Sequence, residues 1–302
     1  MLVAHTDLRL GGGRLSSTIL LERRFRVHLV ERDRVVFDNR FLPPGRRSRS
    51  FAHLYATLEG AFETEVAGLV GPSLHVIGED EFDVVTPDAP RFRSHGAPVR
   101  IFELRIRTRE LRVPVGLAHG PVPLSAEAWR AIERVVRAPS TTSVRGVLVA
   151  LATDGVIVPE VAATVVAEES AMVQRLWAPM QARYQAFDTA PSIKGIAEDA
   201  GVSVVTAARY LRKIVNTFGL HGSTFRDVMY VMRLRMAAML LSAPGVTVGE
   251  VAAQVGYGSL EAMDRAFANA GLPVPSALQA LVGYEAVAAG ARPLGGGVTP
   301  GR

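Results

Sequence analysis

The sequence predicts an α+β chain, with an antiparallel β-barrel or sandwich at the front and helices behind it that end in two helix-turn-helix units. Three observations predict this. From Leu15 to about Ile106, short β-branched or aromatic runs are cut by Gly and Pro, as in all-β domains. After Pro123 the apolar residues recur at helical spacing. Towards the C-terminal end one pattern occurs twice: a short apolar helix, a Gly turn, a Ser cap and a longer amphipathic helix.

Length and composition bound the reading. A chain of 302 residues suits two domains of ordinary size, and 48% hydrophobic with 21% charged residues supplies real cores. There is no cysteine, which excludes a disulfide framework and thiolate metal sites and suits a reducing compartment. Asp7 and Arg9 stand where a signal peptide would be apolar, and runs such as Gly146–Ala152 and Met236–Leu241 are too short to span a bilayer. The expectation is a soluble, cytoplasmic protein with no membrane partner. The net charge of +5 is spread along the chain; it is compatible with nucleic acid without arguing for it.

Residues 1–15, with Gly11-Gly12-Gly13, read as a mobile arm. Strand signals follow at Phe25–Val30, Val35–Phe37, Leu54–Leu58, Ala61–Ala67, Leu74–Ile77, Phe82–Val85 and Val99–Ile106. Turns are expected at Pro43-Pro44-Gly45, Glu59-Gly60, Gly71-Pro72 and Pro87–Pro90. Helical periods cover roughly 125–137, 143–153 and 160–187. The last carries Val161, Val165, Val166, Met172, Val173, Leu176 and Met180, a face that suits either a dimer contact or packing on the chain's own barrel. The resulting division is a barrel at 1–123, a helical linker or dimerisation region at 124–190, a second helical domain at 191–284 after the break at Thr189-Ala190-Pro191, and a disordered tail at 285–302.

In the second helical domain Ser192 is placed to cap a helix Ile193–Ala200. Gly201 supplies the positive φ of a tight turn, and Ser203 caps the next helix. There Val204, Ala207, Leu211, Ile214, Val215 and Phe218 are expected inward, with Val205, Thr206, Arg209, Arg212, Lys213 and Asn216 on the opposite face. The grammar repeats when Thr247 and Glu250 form a capping box, Tyr257-Gly258-Ser259 turns the chain, and Leu260–Ala270 follows with Met263, Ala266, Phe267 and Ala270 inward. Between the units lies a helix over about 224–242 with Phe225, Val228, Met229, Met232, Met236 and Leu240 on one face.

Over roughly residues 192–281 the sequence resembles the AraC/XylS family of transcription regulators. Arg233-Leu234, Ala237 and Leu240-Leu241 fit the family's linker-helix run, and Val251-Ala252, Gly256-Tyr257, Met263, Arg265-Ala266-Phe267 and Pro275-Ser276 fall in register in the second unit. The resemblance implies a sequence-specific regulator of double-stranded promoter DNA, not an enzyme, with a small-molecule effector, a homodimer and RNA polymerase as partners. Two departures stand out. The stretch from Ser203 to Gly222 is longer than the family pattern, requiring a longer helix or an extra loop near Leu220, and Ala268, Asn269 and Gln279 replace basic family positions.

The DNA-binding candidates are Val205, Thr206, Arg209, Arg212 and Lys213 in the first unit and Ser259, Glu261, Asp264 and Arg265 in the second; the same charges also suit ordinary solvated faces. Arg226 and Arg235 are further candidates for the DNA backbone, and Arg233 for a brace between the units. The barrel segment resembles a cupin, through Gly45, His53, Glu59-Gly60, Gly78-Glu79 and the stretch from Pro87 to Phe92. Its metal ligands do not carry over, because Phe51 and Arg91 stand at two histidine positions and a single His53 cannot hold a divalent ion. No cofactor and no metal are expected. His53, Tyr55 and Arg91 are the candidates for a ligand pocket, and Arg46-Arg47-Ser48-Arg49 suits either an anion contact or a solvated loop. Two other readings stay open: an interaction protein with a degenerate DNA-binding domain, and a metal-dependent cupin enzyme.

Overall fold

A computed structural model describes residues 1–43, 50–64, 72–82, 91–163, 169–185, 187, 192–220, 222, 224–285 and 287. Gly45, the arginines of 46–49, Val165, Val166, the Pro87–Pro90 turn, the break at 189–191 and the tail from 288 lie outside them.

The first element corrects an expectation. Residues 1–15 are no arm: β1 (Leu2–Leu10) and β2 (Gly13–Leu21) form a hairpin turned at Gly11, whose φ is +53°. Leu2, Ala4, Thr6 and Leu8 alternate into the interior, the period of a half-buried strand. The glycines serve close approach. A Cβ on Gly11 would stand 2.6 Å from the Pro244 carbonyl oxygen, and one on Gly13 2.5 Å from the Ala243 Cβ.

The sheet continues with β3 (Phe25–Asp33), β4 (Phe37–Asp38), β5 (Phe51–Thr64), β6 (Ser73–Gly78), β7 (Phe92–Arg107) and β8 (Val122–Pro123), all antiparallel, in the order β1-β2-β3-β7-β5-β6-β8 with β4 on β7. The strands expected at Leu54–Leu58 and from Ala61 join in β5 as far as Thr64, because Gly60 (φ +91°) makes a bulge there rather than a turn, and residues 65–67 of the second lie outside the described residues. Val35 and Val36 are buried but outside any strand, Phe82 ends a 3₁₀ turn, Glu79–Phe82, and the rest of the strand expected at Phe82–Val85 lies outside the described residues.

Period two sorts the sheet's residues to two sides. Val27 and Leu29 of β3, Leu54 and Ala56 of β5, and Phe102, Leu104 and Ile106 of β7 face α1 (Ala126–Arg137), α2 (Thr141–Thr153) and α3 (Pro159–Ala162). The other side meets the C-terminal helices. α4 (Ala171–Gln185) buries Val173, Leu176, Trp177 and Met180 against β1 and the next helices, and Trp177 Nε1 donates to the Val3 carbonyl at 2.7 Å. That face is therefore spent within the chain.

The rest is helical: α5 (Ile193–Asp199), α6 (Val204–Thr217), α7 (Phe225–Leu240), α8 (Val248–Gln254), α9 (Leu260–Asn269) and α10 (Pro275–Val282). Ser192, Ser203 and Ser259 each accept an N-terminal amide, and Thr247 with Glu250 forms the capping box. Thr224 with Asp227 forms another on α7. α7 is buried on more than one face, with Leu234, Ala237 and Ala238 covered as well as Phe225, Val228, Met229, Met236 and Leu240, because it lies between the sheet and both units. Gly12 N donates to Pro244 O at 2.8 Å and Val36 N to Ser242 Oγ at 2.8 Å, tying sheet and helical domain together at the end of α7. Among the described residues no helix is long and apolar enough to cross a membrane.

Candidate functional site

The two units are built as their sequences require. Gly201 (φ +59°) and Gly256 (φ +78°) turn the chain between paired helices, a conformation that an L side chain strains to adopt. A Cβ on Gly256 would also overlap the Phe187 carbonyl oxygen. Arg233 donates to that same oxygen at 2.9 Å, so it braces the segment preceding the first unit against the turn of the second.

The long stretch after Ser203 resolves as a longer helix: α6 runs 14 residues against 10 for α9 and ends at Thr217 with Phe218 as its C-cap, and Gly219 (φ +58°) turns away. Val205, Arg209, Arg212 and Asn216 are exposed and follow one another at helical spacing, with exposed Lys213 beside them. Arg209 and Lys213 flank the Tyr210 ring at 5.3 Å and 5.9 Å from its centroid. Thr206 differs from expectation. It is half-buried and its Oγ1 lies 2.9 Å from Ser203 Oγ, within the cap. Val204, expected inward, is 48% exposed, because the first residue after the cap precedes the contact with α5.

On α9, Ser259, Glu261 and Arg265 are exposed and Asp264 is half-buried. A hydrogen bond from Ser259 and one from its own backbone hold the Glu261 carboxyl below its ordinary range, so this face keeps its negative charge. Ser259 is itself the cap of the helix. The face of α6 is thus cationic and that of α9 mixed. Arg226 is exposed at the start of α7, whereas Arg235 lines an interior cavity and is not placed to meet a DNA backbone.

That cavity, about 120 Å³, lies between the second side of the sheet and α7. His53 and Tyr55, two of the three pocket candidates, line it. Arg91 does not; it is exposed in a separate groove with Asp38, Arg40 and Glu63. Met232, Met236 and Met239 of α7 form the apolar wall. The polar wall comes from Glu79, which the cupin resemblance includes, and from four residues that no sequence motif marks: Arg26, His28, Arg32 and Glu103. Arg26, His28 and Arg32 on β3 and Glu103 on β7 alternate with apolar residues, a pattern that a solvated strand face shares.

Glu103 sits at the centre of this wall. His53 Nδ1 lies 2.5 Å from one oxygen and His28 Nδ1 3.1 Å from the other, and Arg26 donates at 3.4 Å. Burial alone would raise its carboxyl, but the bonds to His28 and His53 and their charge hold it well below the usual carboxylate range. Burial depresses His53 and, separately, His75 below the ordinary histidine value of 6.5. Arg105 pairs with Glu79 at 2.7 Å and lies over the Phe51 ring at 3.6 Å.

Arg32 differs from these. Only 1% exposed, it donates to Ser94 Oγ and leaves Nε and Nη1 without a hydrogen-bond partner; among the described residues no carboxylate pairs with it. Burial lowers its affinity for the proton. Among the described residues no group of three or more His, Asp or Glu is arranged to hold a metal ion.

The histidines predict a pH profile. The unfolded chain takes up protons near pH 6.5 that folded His53 and His75 refuse, so stability falls as pH drops below that value. Glu103 has the same sign: its contribution, present above its ordinary 4.5, is lost as pH falls through its lower folded value. Urea unfolding between about pH 7 and about pH 5 should show decreasing stability, and His53→Gln should flatten the upper part of that fall. A profile unchanged by the substitution would contradict the assignment.

No family model matches the chain, and no curated protein does. Among solved structures, an apo ToxT variant from Vibrio cholerae is similar over 86% of this chain and 98% of that one, at TM-score 0.35 and 10% identity. CuxR, described as an AraC-like transcriptional activator, is similar over 68% of this chain and 75% of its own, at TM-score 0.28 and 12% identity.

Proposed function

We infer that this chain is a transcription regulator of the AraC/XylS type, binding double-stranded promoter DNA through α6 and α9 and responding to a small molecule through its N-terminal sheet. The observation that carries the reading is the pair of capped helix-turn-helix units held on one buried helix, α7, with a cationic outer face on α6. A second helix presenting Arg209, Arg212 and Lys213 to solvent has the donors that base edges and phosphates accept. The mixed face of α9 makes it the weaker half. An interaction protein lacking DNA affinity would leave that α6 stripe without a role.

The effector reading rests on the cavity. Its floor is α7, the helix that joins the two units, so an occupant touches both the sheet and the part that fixes their spacing. Arg32 asks for an anionic group, since a buried guanidinium with two unsatisfied nitrogens is costly in an empty site. Dimerisation through residues 124–190 would use the outward faces of α1 and α2, because the apolar face of α4 is covered. RNA polymerase is the further partner that the regulator reading implies.

Selection of duplexes from random DNA by the purified full-length protein tests the reading. The expected result is a motif of two half-sites about one helical turn apart, the one facing α9 tolerating more base changes. No enrichment over the starting pool would overturn it.

A further inference from the structure

The large apolar side chains that face solvent are few, and their places form a pattern. Among the described residues they are Val3, Val149, Val204, Val205, Tyr230, Leu260, Val274 and Leu281. Three of them, Val204, Val205 and Leu260, occupy the first two positions of α6 and the first of α9, directly after the capping serines Ser203 and Ser259. Val205 is the most exposed of all, at 79%, and Leu260 is 45% exposed.

Nothing in the folding of these helices asks for aliphatic residues there. The caps are complete: Ser203 accepts from the Thr206 amide and Ser259 from the Ala262 amide. The inward positions are filled further on, by Ala207 and Leu211 in α6 and by Met263 and Phe267 in α9. The branched β-carbon of Val205 lowers helix propensity, and an aliphatic side chain in water gains nothing at either position. Both positions therefore point to a surface outside the chain.

The rest of the stripe says what that surface is. Val205 heads the row that continues through Arg209, Arg212 and Asn216, so whatever covers it must also accept cations and hydrogen bonds from the next two turns. An apolar protein groove would not. The major groove of DNA does, because it is lined by phosphates and acceptor edges, and its apolar feature is the 5-methyl group of thymine. Helix-turn-helix proteins bring the N-terminal residues of the second helix to the base edges.

We propose that Val205 of α6 and Leu260 of α9 each read a thymine through its 5-methyl group, so that a thymine at one fixed position in each half-site is selected by apolar contact and not by hydrogen bonding. This rests on the DNA-binding reading above and adds the base and the atom.

The test uses the full chain and a duplex recovered by selection, with each thymine replaced in turn by deoxyuridine, which keeps base pairing and lacks only the methyl. One position in each half-site should lose about fourfold in affinity, the factor that one methyl-sized apolar group is worth when buried. In Val205→Ala the loss at the α6 position should disappear, and in Leu260→Ala the loss at the α9 position. Both side chains are exposed, so neither substitution threatens folding; circular dichroism checks this. Sequence-specific binding with no sensitivity to deoxyuridine, or sensitivity that survives both substitutions, overturns the methyl contact and leaves the regulator reading standing. Failure to recover any specific duplex overturns both. Val205→Ala binding the wild-type duplex with unchanged affinity would likewise overturn the methyl contact at α6.

Discussion

Glu103→Gln is expected to destabilise the protein by about 3–5 kcal/mol, the cost of removing one partner from a buried ion pair. The carboxylate is the shared acceptor for His28, His53 and Arg26, and the Arg26 side chain is only 11% exposed. The amide keeps the shape and one acceptor but cannot balance the guanidinium, whose Nε already lacks a partner. Chemical unfolding at neutral pH measures the loss directly. A cost under about 1 kcal/mol, the size of an ordinary surface pair, would mean the cavity is wetter than its geometry implies.

Arg32→Met should act in the opposite sense and stabilise the chain by about 1–4 kcal/mol, the range found when buried charge is replaced by an apolar residue of similar length. Arg32 is as buried as the hydrophobic core and is supported by hydroxyls, not by a carboxylate. Its removal leaves Tyr55 and Ser94, 3.3 Å apart, to bond each other. A buried charge that lowers stability is what a binding site carries at a cost to the fold. The same variant should lose any stabilisation that small anionic compounds give the parent in thermal unfolding. Destabilisation by Arg32→Met would show that Arg32 holds the fold together and is not poised for a ligand.

How far the sequence revealed these features follows from which rules had a single answer. Caps and glycine turns are local, so Ser192, Gly201, Ser203, the Thr247–Glu250 box and Ser259 were placed correctly from neighbouring residues alone. Helices α1, α2 and α7 were legible for the same reason, with periodicity over many residues. The hairpin β1–β2 was not. Three consecutive glycines suggest mobility unless a surface approaches them, and that surface, Ala243 to Val246, is over two hundred residues away in sequence. The cavity was hidden by the same kind of ambiguity. Arg26, His28 and Arg32 alternate with apolar residues as a solvated face does, and only the position of α7 makes that face an interior. Arg91 illustrates the reverse: a resemblance placed it with His53 and Tyr55, but β7 begins beyond it and carries Phe92 inward instead.

α6 is expected to supply most of the DNA affinity. Arg212 is exposed in mid-stripe and Arg265 stands beside the ionised Glu261, so the two substitutions should differ. The direct measurement is titration of one selected duplex with the parent protein, Arg212→Ala and Arg265→Ala across a range of salt. The parent should show a slope corresponding to on the order of three to six phosphate contacts; Arg212→Ala should bind more weakly with a slope lower by about one, and Arg265→Ala should lose less. Equal losses from the two substitutions, or parent binding that does not change with salt, would contradict the account.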